Sequence, residues 1–187
     1  MTIIVKWIGC AAVVFGLTAL AVAQSPSPYA AEMTRTVKAL SVEEARDLLE
    51  GRGMGLAKAA EFNRYPGPMH VLELAGPLGL SDTDAAAVRQ VFEAMRSEAR
   101  ALGQKILAAE AELDRLFALG LADAATVEAL TAKIGALQGK LRAVHLKAHL
   151  AIRPMFVAET VARYDALRGY TSEAVHSHGP GANTHRH

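Results

Sequence analysis

The sequence predicts an all-α protein, a long antiparallel helical hairpin with short flanking N- and C-terminal helices, and three observations carry that prediction. Val88, Phe92, Met95, Ala99, Leu102, Ile106, Ala109, Leu113 and Leu116 recur at alternating steps of four and three. Val127, Leu130, Ile134, Leu137, Leu141, Val144, Ala148 and Ala151 repeat the alternation. A period of about 3.5 residues lines each set along one seam of a helix, to be buried against another helix. Between the runs lies only Leu119-Gly120-Leu121-Ala122-Asp123, which leaves room for an antiparallel reversal and little else.

Residues 1–23 read as an export signal. Lys6 supplies the positive start, Trp7 to Leu20 the apolar stretch, and Ala21-Val22-Ala23 a small-residue cleavage site before Gln24. The alternative is an uncleaved membrane anchor, against which the apolar stretch is shorter than the roughly 20 residues of a spanning helix. Cleavage would remove Cys10, the only cysteine, so stability must come from helix packing and from an expected partner subunit. With 20 basic and 19 acidic residues the chain lacks the basic footprint that nucleic acid demands.

Residues 24–40, with Pro26 and Pro28, read as a flexible leader, and residues 41–170 as the hairpin domain. Ser41-Val42-Glu43-Glu44 is a capping-box pattern that opens a helix carrying Leu48 and Leu49. Gly51, Gly53 and Gly55 end or bend it, since each glycine costs a helix about 1 kcal/mol relative to alanine. A second piece is expected from Met54 to Asn63. Tyr65-Pro66-Gly67-Pro68 forces a turn, and Pro68 suits the first position of a short helix, Met69 to Leu74, which Gly76-Pro77 ends.

Ser81-Asp82-Thr83-Asp84 caps the first long helix, whose length of about 38 residues gives a rod of about 57 Å. Gly120 suits its left-handed end and Asp123 can cap the second long helix, which Pro154 disrupts near residue 152. A last short helix, Val157 to Leu167, stops at Gly169. Residues 171–187 form a polar, histidine-bearing tail expected to be disordered. Leu146 and Leu150 lie off the seam, either packing on the N-terminal helices or forming a dimer or client surface.

An exported helical hairpin with short flanking helices resembles the Spy/CpxP family, with its zinc-resistance-associated and heavy-metal-sensor relatives. That family carries a Leu-Thr-x-x-Gln signature before the first long helix and again before the last helix. Leu80-Ser81-Asp82-Thr83-Asp84 and Phe156-Val157-Ala158-Glu159-Thr160 stand in those two places, the second followed by Val161-Ala162-Arg163-Tyr164. Ser81 keeps the hydroxyl of the first copy while Asp84 replaces glutamine; the second copy keeps only its placement. The resemblance covers roughly residues 66–168. It implies a periplasmic homodimer acting as an ATP-independent chaperone of unfolded polypeptides, a stress regulator docking on a membrane sensor, or a metal sensor or scavenger.

His145 and His149 stand at i and i+4, so they share one helix face at the edge of the apolar seam and could share a metal ion. His70 and Glu73 on the preceding short helix could complete the set, with Met69 nearby. The sensor relatives likewise place a histidine on that early helix, although the spacing here differs from theirs. The competing reading is that these histidines hydrogen-bond locally. His176, His178, His185 and His187 could capture zinc, copper or nickel more loosely, because ordering a tail costs entropy. Met54 and Met69 are possible soft copper ligands, with packing the simpler role, and Met95 belongs to the seam.

Catalytic signals are poor. No nucleophilic cysteine, serine-elbow motif or HExxH is present, and Gly51-Arg52-Gly53-Met54-Gly55 follows a helix where a phosphate loop follows a strand. The positive side chains Arg89, Arg96, Arg100, Lys105, Lys140, Arg142 and Lys147 serve solubility or help hold unfolded chains. The sequence therefore predicts a binding protein of envelope stress and heavy-metal resistance, not an enzyme.

Overall fold

A computed structural model describes residues 27–170; the segment expected to be an export signal and the histidine-bearing tail lie outside the described residues. The seven α-helices among them are α1 (Val42–Glu50), α2 (Lys58–Glu61), α3 (Pro68–Glu73), α4 (Ala75–Leu78), α5 (Asp82–Ala118), α6 (Ala124–Ile152) and α7 (Ala158–Leu167). No described helix is long and apolar enough to cross a membrane. The leader segment contains a 3-10 turn at Ala30–Thr34, and it buries Val37.

Local chemistry fixes most of the boundaries. The Ser41 hydroxyl accepts from the Glu44 amide while the Glu44 carboxylate accepts from the Ser41 amide, closing the capping box of α1. Gly51 ends α1 in the left-handed conformation, with φ of 68°. At α5 the Ser81 hydroxyl accepts from the Asp84 amide. Gly120, at φ of 66°, turns the chain, and Asp123 and Thr126 form a second capping box that starts α6.

Three expected elements differ. The piece expected over Met54 to Asn63 is helical only at Lys58–Glu61, because the turn set by Gly53 and Gly55 occupies its first half. Gly76 and Pro77 do not stop the chain from coiling; they sit in the first turn of α4, where proline's missing N–H leaves no bond unmade. The seam of α6 drifts at its end: Ile152 is fully buried and Ala151 is exposed, so the buried positions 141, 144, 148 and 152 keep closer to the straight-helix period of about 3.6 than to 3.5. Leu146 is half-buried, whereas Leu150 is exposed.

Two clusters make the core. In the first, Val71, Leu78, Val88, Ile152, Phe156, Val161 and Tyr164 pack α3, α4 and α7 onto the open end of the hairpin. In the second, Leu48, Ala99, Leu102, Ile106, Leu141 and Val144 pack α1 across α5 and α6. There α1 lies so close that a Cβ on Gly103 would overlap the Leu48 carbonyl oxygen, and Arg96 and Arg100 donate to the carbonyls of Glu50 and Leu49. Phe92 and Arg96 fall between the two clusters along α5, beside Met95, which packs against the second, and His145 and His149 do so along α6. A cleft opens at that level.

Candidate metal centre

The cleft encloses about 640 Å³ between the loop after α1, the start of α3, the middle of α5, the end of α6 and the chain after α7. His70, His145 and His149 all line it, together with Met54, Met69, Met95 and Glu61. The i, i+4 spacing puts His145 and His149 on the face of α6 that turns inward, where they are 3% and 7% exposed. Expected at the edge of the seam, they are core-buried, because α2 and the turn before α3 cover that edge.

His149 is held from behind. Its Nδ1–H donates to the Tyr65 carbonyl oxygen at 2.7 Å, and Nδ1 lies 3.6 Å from Oε2 of Glu61. A carbonyl only accepts, so Nδ1 carries a proton, and in the uncharged form of the ring the lone pair falls on Nε2. Gly67 makes this approach possible. A Cβ there would stand 2.8 Å from Cε1 of His149 and 3.2 Å from Oε2 of Glu61, so a side chain would push the turn off the ring.

His145 is less provided for. Its Nε2 is buried with no hydrogen-bond partner. Burial, and then the neighbouring His149, hold its pKa below the ordinary imidazole value. A neutral, buried imidazole with a free nitrogen is the protonation state that a metal ion requires.

The wall behind the histidines is a polar network. The Tyr164 hydroxyl donates to Oε1 of Glu61, and the Tyr170 hydroxyl donates to the same oxygen at 3.2 Å. Arg168 lies 3.6 Å from Glu61, and the Gly67 amide donates to the Tyr164 hydroxyl at 3.4 Å. Burial, then the Glu61 carboxylate, push the Tyr164 pKa far above its usual range, so that hydroxyl remains a donor. Oε2 of Glu61 is buried without a hydrogen-bond partner. Outside this group, Arg64 and Asp165 pair at 3.1 Å and tie the turn before α3 to α7.

The expected ligand set is therefore placed unevenly. His145, His149 and His70 share the cleft. Glu73 does not line it; its carboxylate takes Nδ1 of His70 at 2.8 Å on the α3 surface. Among the described residues no three His, Cys, Asp or Glu side chains converge into a group that could hold a metal ion. His176, His178, His185 and His187 lie outside the described residues. The sequence reading missed Glu61, Tyr164, Arg168 and Tyr170. Their separation in sequence from His149 left no local signal, except that Gly67 follows a proline at a turn where backbone must pass close.

A sequence model of the heavy-metal resistance family matches residues 54–163, a range that includes Glu61, His70, His145 and His149. Comparison with curated proteins and with solved structures returns no match.

Proposed function

The chain belongs to the heavy-metal resistance family, and from that membership we propose that it binds heavy-metal ions in the cleft as a non-catalytic sequestering or sensing protein. His145 and His149 would hold the ion. The observation that carries this reading is the buried, partnerless Nε2 of His145 beside a His149 whose tautomer is set by the Tyr65 carbonyl. Metal-binding histidines are commonly oriented in that way, by a carbonyl on the other ring nitrogen. Glu61, with one buried oxygen unsatisfied, stands on the Nδ1 side of His149 and backs that ring. The N-terminal sequence supports export, so the periplasm is the proposed site of action.

Equilibrium dialysis of the full chain against zinc, nickel and copper ions tests the proposal. Binding that falls at least tenfold in H145A/H149A supports it, and unchanged binding removes it. A second reading, capture of unfolded polypeptides, is favoured by the hairpin tip, where Phe117, Leu119 and Leu121 are exposed together. A second copy of the chain docking there would give the expected homodimer, and a membrane sensor's outer domain is the other partner that such a tip could meet. Suppression of a client's aggregation by metal-free protein, lost on replacing these three residues with serine, is the corresponding test.

A further inference from the structure

Met54, Met69 and Met95 line the same cleft as His145 and His149. Packing would be the simple role for such residues, yet Met54 and Met69 are 40% and 44% exposed. Met54 also holds a left-handed backbone, φ of 44°, which side-chain-bearing residues rarely adopt, although Gly53 and Gly55 flank it. Strain of this kind persists where the surroundings demand a particular side-chain position, and binding sites are where it gathers. Here it sets a thioether on the cleft wall.

The donor set and the charge both discriminate among ions. No three His, Cys, Asp or Glu side chains converge among the described residues, so a borderline dication that wants four nitrogen or oxygen donors finds no such group ready. A soft monovalent ion is satisfied by two or three nitrogen and sulfur ligands, and thioethers select for it. The lining holds four Lys or Arg residues and three Asp or Glu residues, so no surplus of carboxylate favours a double charge.

Resting on the heavy-metal reading of the same cleft, we infer that its ligand is a soft monovalent metal ion, copper(I) being the accessible case, held by thioethers of the Met54, Met69 and Met95 group together with the imidazole of His145. No redox step is involved; the ion binds and leaves as copper(I). Exposed thioethers at the cleft mouth provide the entry, and the buried imidazole the inner ligand.

The test is competition for copper(I) with a chromophoric chelator under anaerobic conditions, run beside zinc titration. The full chain carries Cys10→Ser and alanine at His176, His178, His185 and His187, which removes other donors. Met54→Leu/Met69→Leu/Met95→Leu nearly conserves volume. It should weaken copper(I) binding at least tenfold and change zinc affinity less than twofold, with sulfur scattering lost from the copper absorption spectrum. If Met95→Leu disturbs packing, Met54→Leu/Met69→Leu alone should still lower copper(I) affinity severalfold. Copper(I) affinity untouched by either variant, with binding lost in H145A/H149A, overturns the soft-ion inference and leaves metal binding standing. Binding indifferent to both kinds of variant overturns both.

Discussion

Nδ1 of His149 lies 2.7 Å from the carbonyl oxygen of Tyr65, and this one bond decides which face of the imidazole is available to a ligand. The bond joins the end of α6 to the turn before α3, so one contact fixes both this part of the fold and the ring nitrogen proposed as a ligand. In metal-free protein the uncharged ring should be the Nδ1–H tautomer. Nitrogen chemical shifts of labelled histidine read this directly: an unprotonated Nε2 is expected, and a protonated Nε2 with bare Nδ1 contradicts the arrangement.

His145 gives the metal-free protein an acid sensitivity. Its folded pKa is lowered by burial, so as pH falls below 6.5 the unfolded chain takes up a proton that the folded chain refuses. Stability from this group is present above that value and is lost toward the folded pKa, with a slope of at most about 1.4 kcal/mol per pH unit. Urea midpoints at several pH values should show this decline, and His145→Gln should flatten it. An equal decline in the variant assigns it to other groups.

Gly103 should be intolerant and Gly135 tolerant. Alanine at 103 drives a methyl group into the Leu48 carbonyl, a backbone atom that moves only if α1 moves. The expected loss is at or above the top of the roughly 1–3 kcal/mol that overpacking costs. Gly135 has no atom within 4 Å of an added Cβ and lies in α6, so alanine there should gain about 0.5–1 kcal/mol. Denaturation midpoints that move together for the two variants contradict the close crossing of α1 and α5.

Tyr164→Phe removes the buried hydroxyl that donates to Glu61 and accepts from the Gly67 amide. The cost should be about 1–3 kcal/mol, because a buried carboxylate oxygen then relies on Tyr170 and Arg168. Metal affinity should also fall, since Glu61 and Gly67 position His149. An unaltered denaturation midpoint would remove the network from the account.

The hairpin was legible because its causes are local. Heptad spacing, the Ser41 and Asp123 caps and the glycine at position 120 act within a few residues, and the structure keeps each of them. The end of α6 was not, since whether residue 151 or 152 is buried depends on where α7 packs. The site was half legible. His145 and His149 announce themselves by spacing, whereas Glu61 reaches His149 only through the turn at Pro66 and Gly67. His70 pairs with Glu73 because i, i+3 neighbours on a short helix meet before any distant group does. Met54 and Met69 read both as soft-ligand candidates and as packing, because sequence alone does not reveal exposure.

Calorimetric titration of the full chain with alanine at its four tail histidines tests the central claim most directly. One ion bound per chain, lost on adding H145A/H149A while the helical signal is retained, is the predicted result. Binding that disappears with the tail histidines alone, leaving nothing for the cleft to hold, would contradict it.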